Sequence, residues 1–245
     1  MRAAFILMMT ILTLGLHGET LPCTPQEAVS FDRDLAGLID HTILKPEATL
    51  SQIDTLCTEA LTYQFASVCI QPCWVKRAAE NLKGSKVDVC TVVGFPLGAN
   101  TTDVKVYETI KALEEGATEI DMVINIGAVK SGNWDLIENE IEAVVQAAQN
   151  HVVKVILEVA LLTNEEIRHA CRCAKRAGAH FVKTSTGFGP SGASIEAVQL
   201  MRETVGSTVG VKASGGIRSK ETALQMVQAG ANRIGTSSGI AIVTY

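Results

Sequence analysis

Aromatic residues are scarce: six Phe, two Trp and three Tyr make up 4% of 245 residues. That is too little for the stacking platforms that hold single-stranded nucleic acid. Positive charge is not in surplus either, with 21 Lys and Arg against 26 Asp and Glu, a formal charge of −5. Net charge therefore draws no polyanion, and neither nucleic acid nor an anionic membrane is an expected partner. The five histidines, His17, His41, His151, His169 and His180, show no ligand spacing, so no metal is expected. Seven cysteines form no disulfide framework, and Cys69-Ile-Gln-Pro-Cys73 and Cys171-Arg-Cys173 lack a second pair at zinc spacing. With Cys23, Cys57 and Cys90 they read as reduced thiols, several of them small hydrophobes in apolar runs, which points to a reducing compartment. Ser and Cys also lack a recognisable base arrangement for nucleophilic work.

The N-terminus disagrees with that compartment. Residues 3–16 are apolar and uncharged, too few for a comfortable membrane span but enough for the core of a signal peptide. The cleavage side is poor, because Leu16-His17-Gly18 is not small-x-small and Cys23 follows Leu21-Pro22. The expectation is an N-terminal extension over 1–31, or a start placed upstream, followed by one domain over 32–245.

What is abundant is aliphatic. Apolar residues reach 47% and charged ones only 19%, the balance of a compact protein whose core is Ala, Val, Ile and Leu. Eight strand-sized apolar runs recur at 38–42, 66–70, 87–93, 119–125, 152–158, 181–186, 210–214 and 233–237. Helix-like stretches separate them, among them 102–115, 136–149, 165–177, 193–204 and 220–229. Asn164 with Glu166, and Ser219 with Glu221, suit helix starts. Gly116-Ala-Thr, Gly178-Ala-His and Gly230-Ala-Asn repeat one helix-to-strand junction, with Gly ending the helix. Parallel strands with helical crossovers follow, and eight of them count to a single (β/α)8 TIM barrel, with a doubly wound open sheet as the alternative.

Barrel chemistry collects at the C-terminal ends of the strands. Asp121, Lys154, Lys183 and Lys212 are ionisable residues inside otherwise apolar strands. In 119–125, Ile120, Met122 and Ile124 share one face, which leaves Asp121 pointing into the barrel if that face packs on helices. The lysines recur as Val153-Lys154, Val182-Lys183 and Val211-Lys212 on three successive strands. They either neutralise Asp121, Glu158 and each other, or form a functional cluster. A second ammonium about 6 Å away contributes roughly 2.8 kcal/mol of repulsion at an effective dielectric near 20. One lysine of the three could thus be kept neutral and attack a carbonyl. Ser214-Gly-Gly-Ile-Arg218 and Gly235-Thr-Ser-Ser-Gly239 follow the last two strands, where barrels bind phosphate on backbone N–H groups.

These residues resemble the class I deoxyribose-phosphate aldolase family. The resemblance rests on Leu38-Ile-Asp-His-Thr-Ile-Leu-Lys-Pro46, Val93-Gly-Phe-Pro-Leu-Gly98, Glu119-Ile-Asp-Met-Val-Ile-Asn-Ile-Gly127, Phe181-Val-Lys-Thr-Ser-Thr-Gly-Phe188, Val211-Lys-Ala-Ser-Gly-Gly-Ile-Arg218 and Arg233-Ile-Gly-Thr-Ser-Ser-Gly239. It covers about residues 34 to 240, in family order. It implies reversible cleavage of 2-deoxy-D-ribose 5-phosphate to D-glyceraldehyde 3-phosphate and acetaldehyde, without cofactor or metal, in the cytoplasm. It implies Lys183 as the Schiff-base lysine, Asp121 and Lys212 as proton handlers, and Lys154 as a structural partner. Asp40, Thr186, Gly187, Gly215, Gly216, Arg218, Gly235, Ser237 and Ser238 would hold the phosphorylated sugar, and a homo-oligomer is left open. Two departures stand out: Phe188 occupies a place where some members carry lysine, and the tail ends early at Tyr245. The rival readings are a phosphosugar isomerase with Asp121 as base, which needs no imine, and a silent phosphosugar-binding protein.

Overall fold

The computed structural model describes residues 30–244, so the expectations for the leader and for Tyr245 lie outside the described residues. After a short helix, α1 (Arg33–Ala36), the chain alternates strands and helices. The strands are β1 (Ile39–Ile43), β2 (Ser67–Ile70), β3 (Asp88–Val93), β4 (Glu119–Val123), β5 (Val152–Ile156), β6 (Phe181–Lys183), β7 (Gly210–Ser214) and β8 (Arg233–Thr236). Each pairs in parallel with the next, and β1 closes on β8 with Asp40 opposite Gly235. The expected (β/α)8 barrel is the observed fold.

Eight further helices complete the described order: α2 (Leu50–Tyr63), α3 (Val75–Asn81), α4 (Thr102–Glu114), α5 (Ile126–Lys130), α6 (Trp134–Ala147), α7 (Asn164–Arg176), α8 (Ile195–Val205) and α9 (Lys220–Gln228), before a last turn of helix, α10 (Gly239–Val243). Their starts follow their caps. Ser219 caps α9, as its place before Glu221 suggests, accepting from Thr222 N at 3.2 Å. For α7 the cap is Thr163, not Asn164: Thr163 Oγ1 accepts from Glu166 N, and Glu166 Oε2 accepts from Thr163 N, a reciprocal box that leaves Asn164 inside the helix. Asn133 and Ser194 similarly move the starts of α6 and α8 to Trp134 and Ile195.

Two cores result. Outside the sheet, Ile120, Met122 and Ile124 join the apolar layer shared with the helices. Inside, the barrel is charged, because the alternate residues of β4 to β8 are Glu119, Asp121, Lys154, Lys183, Lys212 and Arg233. A small apolar cluster of Leu44, Cys69, Cys90 and Val92 adjoins it. Phe31, at the end of the expected extension, bridges to Thr244, and Asp32 N donates to Val243 O at 2.9 Å. No described helix is long and apolar enough to cross a membrane.

Candidate active site

Asp121 is the junction of the interior. Its Oδ2 accepts from Lys183 Nζ at 2.7 Å and Lys212 Nζ at 2.8 Å; its Oδ1 accepts from Lys154 Nζ at 2.8 Å and Cys90 Sγ at 3.1 Å. Lys212 Nζ also lies 2.5 Å from Asp40 Oδ2, and Lys154 Nζ donates to Glu119 Oε2 at 2.6 Å. Arg233 closes the lower end, on Asp40 Oδ1 at 2.6 Å and Glu119 Oε1 at 3.0 Å, while Ser67 Oγ donates to Asp40 Oδ1 at 2.7 Å. Asp40, Glu119 and Asp121 thus face Lys154, Lys183, Lys212 and Arg233, three carboxylates against four cations.

Burial works against every charge here, and the partners overcome it. Desolvation would raise Asp121, yet Lys154, Lys183 and Lys212 hold its carboxyl well below the usual carboxylate range. Desolvation would likewise lower Lys154 and Lys212, yet Asp121 and Asp40 push both above the ordinary lysine value. Cys69 is brought down to about 7, chiefly by a hydrogen bond with Cys90, whose own thiol burial pushes up. Cys69, Cys90 and Asp121, and likewise Asp40, Cys90 and Glu119, bring ligand atoms within 4.8 Å of one another. Lys154 Nζ sits among these groups, 3.3 Å from Cys90 Sγ, and supplies their positive charge itself.

The lysines are not equivalent. Lys183 is the register partner of Lys212, whereas Lys154 is opposite Phe181, two residues lower. Above them opens a cavity of about 720 Å³, and of the three lysines only Lys183 lines it. Thr186, Gly187 and Phe188 form one wall after β6; Ser214 ends β7 and Gly215, Gly216 and Arg218 follow it; Gly235 and Thr236 end β8 and Ser237 follows it. Gly215 and Gly216 both have positive φ, +87° and +79°, so this turn requires glycine. Ser238 stands just behind the wall, donating from its backbone N to Thr236 Oγ1 at 2.9 Å. Asp40 is farther from the wall than a substrate-holding role suggests: it is fully buried below the cavity, in the ion network.

Sequence reasoning passed over Glu119 and Arg233, although both share the inward phase of Asp121 and Lys212. It also passed over the pair of His41 and Glu59, 2.6 Å apart at the cavity edge; burial lowers His41 despite that carboxylate. Among the described residues Glu158 meets no lysine; it accepts from the backbone N and hydroxyl of Thr186.

The family model for DeoC/LacD family aldolase matches residues 35–244. The chain belongs to that family. It is 61% identical over 205 residues to the deoxyribose-phosphate aldolase of Streptococcus sanguinis, covering 84% of this chain and 93% of that one. To the deoxyribose-phosphate aldolase of Exiguobacterium sibiricum it is 60% identical over 212 residues, 86% of this chain and 96% of the relative. Among solved structures it is similar to the tetrameric deoxyribose phosphate aldolase from Aeropyrum pernix, with a TM-score of 0.81 and 37% identity over 86% of this chain and 89% of that one.

Proposed function

We propose that this family member is a deoxyribose-phosphate aldolase that cleaves 2-deoxy-D-ribose 5-phosphate to D-glyceraldehyde 3-phosphate and acetaldehyde through an imine on Lys183. The observation that carries the assignment of the lysine is exposure to the cavity. Lys154 and Lys212 are sealed in the ion network, while Lys183 lines the cavity wall.

The Lys183 amine attacks the substrate aldehyde, and loss of water gives an iminium. The C3 hydroxyl proton is taken by Asp121, directly or across a water, with the Lys212 ammonium beside it. The C2–C3 electron pair moves toward the iminium, releasing glyceraldehyde 3-phosphate and leaving an enamine. Protonation of the enamine carbon and attack by water free acetaldehyde and Lys183. Asp40, Glu119 and Asp121 hold the four basic side chains in place around the reacting nitrogen. Lys212, held charged by Asp121 and Asp40, is then a fixed cation beside the reacting nitrogen. The turns after β7 and β8, with Arg218, take the phosphate; Thr186 and Gly187 flank the hydroxyl-bearing carbons.

Borohydride reduction in the presence of acetaldehyde, followed by peptide mass mapping, tests the assignment. The N-ethyl label is expected on Lys183. A label on Lys154, or none, would sink it, and absence of any label is what the isomerase reading requires. Self-association is carried over from the tetrameric Aeropyrum pernix relative and is read by light scattering. A substrate of this class is intracellular, which favours the cytoplasm.

A further inference from the structure

Past Lys183 the backbone pairing runs on through Thr184, whose N donates to Lys212 O at 3.0 Å and whose O accepts from Val159 N at 2.9 Å, and beyond it the wall is tied by side chains. On the β7 side Ser214 ties it: Ser214 N donates to Thr184 Oγ1 at 3.0 Å, and Ser214 Oγ donates to Ser185 O at 2.6 Å. On the β5 side the side-chain tie is Glu158. Its Oε2 accepts from Thr186 N at 3.2 Å and also from the Thr186 hydroxyl, whose oxygen in turn accepts from Phe188 N at 3.0 Å.

Glu158 collects unfavourable features in one residue. It is 3% exposed, and among the described residues no cation pairs with it. Its backbone is left-handed, φ 56° and ψ 61°, a region that favours glycine. Its Oε1 is buried without a hydrogen-bond partner. Gly189 packs against it, so that a Cβ there would stand 2.8 Å from the Glu158 carboxyl group and push that side chain aside. A left-handed backbone and a buried carboxyl group with one unpartnered oxygen, beside a cavity wall, point to a task other than stability.

We propose that Glu158 is a positioning residue for the aldol cleavage: it takes the Thr186 hydroxyl proton, so that Thr186 can only accept a hydrogen bond from the substrate. The bond inventory forces that polarity. The hydroxyl donates to Glu158 and accepts from Phe188, leaving one lone pair and no proton for the cavity. A substrate hydroxyl is favoured at that place over a carbonyl or ether oxygen, which would meet oxygen with oxygen. Glu158 therefore acts on the hydroxylated, phosphorylated half of the sugar and not on the acetaldehyde half.

This inference rests on the proposed imine chemistry, and the test separates the two. In the full chain, Glu158→Met and Thr186→Val should each lower kcat/KM for 2-deoxy-D-ribose 5-phosphate by about ten- to a hundredfold, the range of a hydrogen bond to a charged group. Borohydride trapping of acetaldehyde, which has no hydroxyl, should stay within about twofold of wild type on that same argument. Because Glu158 works through Thr186, the double variant should be no worse than the worse single. Unchanged kcat/KM, multiplicative losses in the double variant, or trapping that falls in step with cleavage would each overturn the proposal. Should Glu158→Met fail to fold, Thr186→Val decides alone: cleavage lost with trapping kept supports it, and cleavage unchanged refutes it. Absence of trapping at Lys183 in the wild type would instead refute the imine reading.

Discussion

Replacing Asp121 with Asn strikes the network at its junction. The amide keeps the volume but removes the charge that Lys154, Lys183 and Lys212 meet at 2.8, 2.7 and 2.8 Å. Two carboxylates, Asp40 and Glu119, would then face four cations. Breaking a buried pair in this one-sided way costs about 3–5 kcal/mol. For a chain of this length each kcal/mol lowers the melting temperature by roughly 2–4 °C, so calorimetry should show a fall of about 6–20 °C. Turnover, measured well below that melting point, should drop by about 10²–10⁴, the usual contribution of a positioned proton acceptor. KM should move far less, because the phosphate turns are untouched. Acid gives a second readout. A carboxyl held below its unfolded value stabilises the fold fully above about pH 4, and that contribution is lost as pH falls toward the folded value. The stability gap between wild type and variant should therefore narrow on acidification below about pH 4. Near-normal turnover, or a gap that widens in acid, would refute the role given to Asp121.

Lys212→Met removes an ammonium that shares Asp121 Oδ2 with Lys183, 2.7 Å and 2.8 Å from one oxygen and hence at most 5.5 Å away. Loss of that positioned proton donor should lower trapping at Lys183 by about a hundredfold, the low end of what such a group contributes. Lys183→Met should trap nothing at any pH; exchanged phenotypes would reverse the assignment. Arg218→Ala should raise KM for the phosphorylated sugar by about tenfold and leave acetaldehyde trapping intact, as expected for a charge-assisted phosphate contact. Dialysis against a strong chelator should leave turnover unchanged; loss restored by zinc would contradict the imine mechanism. Deleting residues 1–28 keeps Phe31 and its bridge to Thr244, so the truncated protein should fold and turn over normally. Insolubility of that variant alone would show that the leader belongs to the fold.

Much of the barrel was legible because strand phase is a local property. Ile120, Met122 and Ile124 mark the helix-facing side of β4, and Asp121 must then point inward. The strand runs are each short and β-branched, and a parallel connection needs the amphipathic stretch that follows each run. Helix starts were less legible, since Thr163 and Asn164 are both good caps by type. Only the reciprocal bonds between Thr163 and Glu166 choose between them. β6 also stops three residues before its apolar and hydroxyl-rich run does: Thr184 still bonds through its backbone to Lys212 O and Val159 N, but Ser185 O and Thr186 N turn to the side chains of Ser214 and Glu158.

The site was legible in kind but not in arrangement, and the reason is stagger. Val-Lys occurs on three successive strands, and nothing local distinguishes one copy from another. The barrel distinguishes them. Its register sets Lys183 beside Lys212 and drops Lys154 to the level of Phe181, one inward-facing position deeper. That offset decides which charges pair. Lys154 falls to Glu119 and meets Asp121 from below, and Arg233 seals the end against Asp40 and Glu119, partners 193 and 114 residues away. Asp40, placed in the motif beside residues that do line the cavity, is drawn under it by Lys212 and Arg233 instead. Depth in the barrel thus separates Lys183 from Lys154, sealed one level lower among carboxylates, while Lys212, level with Lys183, is drawn from the cavity by two carboxylates, Asp40 and Asp121, where Lys183 has one.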